Sequence, residues 1–295
     1  MRHPAGVRVP VAVRLRSGRK PRSTIMKGKT IITAALAALA VSCSVWEDRS
    51  LCPCLLSVDL RDADMTHPGI RHSEVSVALR SPGILGQERV AVSDFAEFPF
   101  YEREVPRRTV TVSAWAGADA MDQDGAFLLV PYGQQCDSLY AHSSEVDCRG
   151  EEALATAVLH KQFATLRIDM VSYGASRYPY SLRVSSGTDG IDASTLIPHG
   201  GEFAFMPEAF GPRGDRFSLR VPRLLDGQIL LEIMRDGMTL DTLDIGDAIL
   251  RGGYSWLQED LDDILLTLDM ATLRATLTVL PWDREVLDDE RDWII

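Results

Sequence analysis

Apolar residues recur at every second position over much of the chain. Leu56, Val58 and Leu60 alternate with Ser57 and Asp59, Val110 and Val112 with Thr109, Thr111 and Ser113, and Leu166, Ile168 and Met170 with Arg167 and Asp169. The pattern returns around Phe203-Ala204-Phe205, in Phe217 to Val221, in Ile264 to Leu268, and in Ala275, Leu277 and Val279. Successive side chains on a strand point to opposite faces, so this period predicts half-buried strands. Turn chemistry separates them at Ser81-Pro82-Gly83, Asp124-Gly125, Gly187-Thr188-Asp189-Gly190, His199-Gly200-Gly201, Gly211-Pro212-Arg213-Gly214, Asp226-Gly227, Asp236-Gly237 and Gly252-Gly253. Short strands at this spacing predict an all-β protein of antiparallel sheets packed as β-sandwiches. The pattern is long for one sandwich, so two are expected, divided within the Ala-rich, strand-poor stretch Glu151 to His160. Two helical exceptions are expected, at Asp241 to Leu250 and at Tyr254 to Ile264. The chain shows no sequence repeat of solenoid length and no low-complexity segment.

The composition is that of a folded chain: 295 residues, 45% hydrophobic and 25% charged, with 31 Lys+Arg against 42 Asp+Glu and a net charge of −11. An acidic whole excludes nucleic acid as a partner class. The charge is unevenly placed. Nine of the 31 basic residues precede position 43, where there is no Asp or Glu, leaving 22 basic against 42 acidic residues and a net of −20 beyond it.

That basic head organises the N-terminus. Lys27-Gly28-Lys29 leads into the uncharged run Thr30 to Ser42, which stops at Cys43. A short cationic region, an apolar stretch too short to span a bilayer and small residues before a cut are the parts of a secretory signal. Ala40-Val41-Ser42-Cys43 resembles a lipobox, with Cys43 as the lipidated mature N-terminus; the alternative is a plain signal peptide cut nearby, with Cys43 free or in a disulfide. Residues 1–25 have no role in such a signal and are read as lying upstream of the true start at Met26. Glu47-Asp48 follows, an acidic pair resembling the signal that exports lipoproteins to the outer surface.

Four further cysteines remain: Cys52, Cys54, Cys136 and Cys148. An even number in an exported chain predicts disulfides. Cys52-Pro53-Cys54 is too tight to bridge on itself, so the first expectation pairs one of them with Cys136 and the other with Cys148. A local Cys136 to Cys148 loop is the alternative. Neither pair has zinc-knuckle spacing.

Catalytic patterns are scarce. There is no Gly-x-Ser-x-Gly elbow, no phosphate-binding loop and no His-Glu-x-x-His. Beyond Cys43 the histidines are His67, His72, His142, His160 and His199, with no two at ligand spacing, and the only lysine is Lys161. Asp122-x-Asp124-Gly125 resembles part of a calcium loop, but Ala120 and Pro131 occupy ligand positions, so a hairpin turn is expected. The acidic runs Glu259-Asp260-Leu261-Asp262-Asp263 and Asp288-Asp289-Glu290 read as solvated faces. Trp115, Trp256 and Trp282 could form a sugar platform, or fill sandwich cores. No cofactor is implied.

Several stretches together resemble one family, the FimB-type fimbrial anchor lipoproteins of Bacteroides-type bacteria. They are Cys43; Glu47-Asp48-Arg49-Ser50-Leu51-Cys52-Pro53-Cys54 leading into Leu55 to Leu60; Leu159 to Ile168; Met206-Pro207-Glu208-Ala209; and Leu277-Thr278-Val279-Leu280-Pro281-Trp282. The resemblance implies two tandem transthyretin-like β-sandwich domains tethered to the cell outer membrane as the base of a fimbria, without catalysis. Its layout would be a head and signal over 1–42, a lipidated linker over 43–54, an N-terminal sandwich over 55–158, and a C-terminal sandwich over 159–295 that includes the tail. Its partners would be fimbrillin stalk subunits, joined by strand addition at a sheet edge, and outer-membrane lipid through acylated Cys43. The tail ending Trp293-Ile294-Ile295 would dock on its own sheet or on a stalk subunit, the former preferred. The competing reading is a surface glycan-binding lipoprotein.

Overall fold

The computed structural model describes residues 52–61, 73–91, 99–171, 174, 177–272 and 274–281. Eighteen strands and one helix are defined among them. The first ten strands are β1 (Cys54–Asp59), β2 (Glu74–Ser81), β3 (Ile84–Ala91), β4 (Phe100–Val105), β5 (Thr109–Ala116), β6 (Asp122–Asp124), β7 (Phe127–Leu129), β8 (Tyr140–Asp147), β9 (Glu152–Thr156) and β10 (His160–Lys161). There follow β11 (Phe163–Val171), β12 (Ser181–Asp192), β13 (Pro198–Phe205), β14 (Arg216–Pro222), β15 (Ile229–Arg235), β16 (Met238–Asp244), the helix α1 (Ile245–Arg251), β17 (Asp263–Asp269) and β18 (Arg274–Leu280). The protein is all-β, and the strands form four sheets, with orders β4-β1-β9, β10-β8-β5-β2-β3, β14-β11-β17-β18 and β16-β15-β12-β7-β6, the last with β13 also on β12.

Period two is realised as burial. Leu166, Ile168 and Met170 of β11 are enclosed while Thr165, Arg167 and Asp169 between them are half-exposed. Ile264, Leu266 and Leu268 of β17 behave likewise, as do Leu56 and Val58 of β1 against Leu55 and Ser57. Removing these apolar faces from water is the main drive for the sheets to stack, at roughly 25 cal/mol per Å².

The connectivity repeats although the sequence does not. In the earlier strands β1 lies between antiparallel β4 and parallel β9, while β2 lies between β3 and β5, with β8 beyond β5. In the later strands β11 lies between antiparallel β14 and parallel β17, while β12 lies between β13 and β15, with β16 beyond β15. Three differences break the correspondence, the first being that β10 pairs beyond β8 with no described counterpart in the later strands. β18 covers the outer edge of β17, whereas no described strand covers the outer edge of β9. The hairpin β6–β7 leaves the earlier strands to pair with the far end of β12.

That pairing requires Gly190. A side chain there would collide with the backbone of Leu128, and so the glycine lets β7 lie directly on β12. The expected turn at Gly187 to Gly190 is accordingly not a turn. It lies within β12, where the register against β13 shifts between Ser186 and Thr188 and again between Thr188 and Gly190. His199-Gly200-Gly201, also expected as a turn, is part of β13. The stretch expected to be strand-poor contains β9, because pairing with β1 supplies what its Ala and Glu lack in strand preference.

The expected helix at Asp241 to Leu250 is β16 followed by α1. Asp244 caps α1 by accepting from the Asp247 N–H, and Arg251 pairs back to Asp247 at 2.9 Å, one turn earlier. Ile245 and Ile249 bury its inner face. The second expected helix, Tyr254 to Ile264, is an irregular loop running into β17.

Candidate functional site

The chain enters the described fold at Cys52, and β1 begins at Cys54 in the middle of its sheet. Cys43, Glu47 and Asp48 lie outside the described residues, as do His67, His72, Trp282, Asp288-Asp289-Glu290 and the terminal tail. Cys52 is exposed and Cys54, Cys136 and Cys148 are buried, all four as thiols. The fold brings Cys54 alongside Cys148: Cys54 pairs with Val105, and the Cys148 N–H donates at 3.1 Å to the carbonyl of Arg108, just beyond Val105. Burial, with Cys54 alongside, pushes the Cys148 thiol up to about 11. Cys136 sits against β14: its N–H donates to the Arg220 carbonyl at 3.1 Å, and Arg220 Nε donates to the Cys136 carbonyl at 2.7 Å. Burial pushes the Cys136 thiol up to about 12.

The acidic run before β17 is structural. Arg223, 8% exposed, donates to the carbonyls of Trp256 at 2.6 Å, Gln258 at 2.7 Å and Glu259 at 2.9 Å, and to the Gln162 side chain at 2.8 Å. Desolvation draws its pKa below the usual arginine value, and the four acceptors are what make an enclosed guanidinium tolerable. Lys161, 3% exposed, donates to Asp263 at 2.6 Å and lies 4.8 Å from the centroid of the Phe163 ring. Asp260 accepts from the Lys161 N–H at 2.7 Å and faces His160 at 3.1 Å. Asp260 and Asp263 are thus spent on holding the Tyr254–Asp262 loop to β10 and β11, while the Glu259 side chain of the same run, 82% exposed, faces solvent.

The other described histidines, His142 and His199, are similarly engaged. His142 faces the Val158 carbonyl at 3.2 Å and Ser144 Oγ at 3.1 Å, and burial holds its pKa below the usual histidine value. His199 meets Asp189 at 2.7 Å. Among the described residues no group of three or more His, Cys, Asp or Glu is placed to hold a metal ion. Asp122 to Asp124 is the first strand of a hairpin whose turn uses Gly125 at φ 62°. Trp115 and Trp256 are only 3% and 5% exposed, so neither offers a face to a sugar.

What the fold does present is backbone. β3, β4, β9, β16 and β18 are sheet edges, each paired on one side only among the described residues. Unpaired N–H and C=O groups on such edges are ready to accept another strand. The period-two pattern located β18 but not β3, β4, β9 or β16, and it had no way to rank their edges. β9 carries Leu154 at 64% exposure, and β16 carries exposed Met238 and Leu240.

No family model matches the sequence, and no curated protein matches it. Solved structures do share the fold. A candidate polysaccharide-binding protein of Bacteroides thetaiotaomicron aligns with TM-score 0.56 at 16% identity, over 78% of this chain and 96% of its own. The fimbrial anchor protein Mfa2 of Porphyromonas gingivalis aligns with TM-score 0.54 at 14% identity, over 78% of this chain and 98% of its own. A candidate adhesin of Bacteroides ovatus aligns with TM-score 0.53 at 12% identity, over 74% of this chain and 88% of its own.

Proposed function

We propose that this chain is the lipid-anchored base subunit of a fimbria, held on the outside of the outer membrane through acylated Cys43 and acting in assembly and cell adhesion without catalysis. The observation that carries the reading is the coincidence of a lipobox cysteine shortly before β1 with a fold that spans almost the whole length of a fimbrial anchor. Glu47 and Asp48 supply the surface-export signal. Several acyl chains suffice for a stable hold, since each buried CH₂ contributes about 0.8 kcal/mol. The repeat in connectivity supports two sandwich domains after the linker, 55–158 and 159–295, with the β6–β7 hairpin clasping the second.

A fimbrillin stalk subunit is the partner, taken up by strand addition. Among the described residues no strand fills, beside the outer edge of β9, the place that β18 takes beside β17, and Leu154 offers an apolar contact there. Deleting the gene tests the reading: fimbriae should change length or detach from the cell. Normal, membrane-attached fimbriae in the deletion strain would refute it. Acyl labelling tests the anchor separately, because label should vanish in Cys43→Ala, and label that persists rejects Cys43.

A further inference from the structure

Two of the cysteines meet although 93 residues separate them in the chain. Cys54 is the first residue of β1, and Cys148 lies between β8 and β9. Both side chains are fully enclosed. The backbone around them is fixed from three directions: Cys54 pairs with Val105 of β4, the Leu55 N–H donates to the Glu151 carbonyl at 2.9 Å, and the Cys148 N–H donates to the Arg108 carbonyl at 3.1 Å. β1 and β8 belong to different sheets, so a bond between these sulfurs would tie the two sheets together. Cys136 is committed to β14, and Cys52 faces solvent.

We propose that Cys54 and Cys148 form a disulfide in the exported protein, clamping the first residue of β1 to the segment that begins β9, while Cys52 and Cys136 stay thiols. The proposal rests on the anchor reading, which places the chain in an oxidising compartment. The oxidant is a thiol oxidoreductase carrying its own disulfide. The thiolate of one cysteine attacks that disulfide, giving a mixed disulfide and releasing one oxidoreductase thiol. The thiolate of the other cysteine then attacks the mixed disulfide, forming the Cys54–Cys148 bond and releasing the second thiol. Two protons and two electrons pass from the protein to the oxidoreductase. Exchange needs a thiolate, and burial disfavours thiolates in the finished fold, so the bond forms while the sandwich is still closing.

The bond would matter mechanically. A pull on a fimbria enters its base from the lipid end of the chain and meets the first strand at Cys54. Without a bridge, the hydrogen bonds of β1 to β4 and β9 break one after another from that end. With it, the load passes at once to Cys148 on the other sheet. The bridge also closes a loop of roughly 95 residues, which restricts the unfolded chain.

Peptide mapping of the full-length protein from the outer-membrane fraction tests this. The sample is denatured and alkylated without reductant, then cut with trypsin and an acid-specific protease, because trypsin alone leaves Cys136 and Cys148 on one peptide. The expected product joins the Cys54 peptide to Cys148, with Cys52 and Cys136 alkylated. The link should survive Cys52→Ser and Cys136→Ser, and be lost in Cys52→Ser/Cys54→Ser. Reductant should lower the melting temperature on the order of 10 °C. Four alkylated thiols in outer-membrane material, or a link through Cys136, would overturn the pairing while leaving the anchor reading intact. A chain retained in the cytoplasm would overturn the anchor reading instead. The same mapping after refolding with oxidised glutathione then decides the pairing, supported by a Cys54–Cys148 link and rejected by four thiols.

Discussion

Arg223 shows how far a single side chain can hold an irregular segment in place. It sits just after β14 in the run Val221-Pro222-Arg223-Leu224, and its guanidinium closes the loop that carries Trp256 by taking three of that loop's carbonyls. Replacing it with methionine keeps the volume but leaves those carbonyls and the Gln162 oxygen unpaired in a dry site. The expected cost is about 3–5 kcal/mol, read as a lower urea midpoint with an unchanged slope. A change under about 0.5 kcal/mol would mean that water replaces the guanidinium. The sequence offered one clue, an arginine inside an apolar run. The acidic residues it works with read as a solvated face, because sequence cannot show that Lys161 and Arg223 arrive from other strands. The tryptophans were legible as core or platform, and the choice between them depended on packing.

At the scale of elements, alternation located β1, β5, β11, β13, β14, β17 and β18, but not β15, whose buried Ile229, Leu231 and Ile233 alternate with the equally apolar Leu230 and Met234. It also failed where tertiary pairing overrides local preference. β9 is an Ala- and Glu-rich segment made into a strand by parallel pairing with β1, and β12 continues through two glycines that look like a turn. The helix α1 is seven residues long, too short to impose a clear 3.6-residue period on its surroundings. Gly190 gives a test of the override. In Gly190→Ala the new methyl group meets the Leu128 backbone rather than a flexible side chain, so β7 must move off β12. The expected loss is about 1–3 kcal/mol in urea unfolding. Faster hydrogen exchange should appear at the Val130 N–H, which donates to the Asp189 carbonyl at 2.7 Å. Gly187→Ala, where nothing stands within reach of an added methyl, is the control and should change stability far less. Equal effects at the two positions would show that the glycines matter for backbone freedom and not for the approach of the hairpin.

The whole molecule beyond Cys43 carries a net charge of −20, with its only lysine buried and arginine supplying the other cations. Such an imbalance disfavours electrostatic attraction to an anionic membrane surface, in line with the proposed attachment through acyl chains. It also loads the folded state with self-repulsion. The described ion pairs that could offset this are partly exposed ones such as Arg89–Glu74 at 3.7 Å, Arg103–Glu88 at 3.8 Å and Arg251–Asp247 at 2.9 Å, each worth little in water. The buried Lys161–Asp263 pair is shielded from salt by its enclosure. Long-range repulsion should therefore outweigh local attraction. Raising salt from 0.01 M to 0.15 M shortens the screening length from about 30 Å to about 8 Å, which cuts repulsion between distant carboxylates more than attraction within a pair. The melting temperature of the unlipidated Cys43→Ser protein should rise by a few degrees over that range, equivalent to about 1 kcal/mol. A fall would mean that the surface ion pairs stabilise the fold more than the excess charge strains it. The balance would then have to be sought pair by pair, starting with Arg251→Ala at the helix.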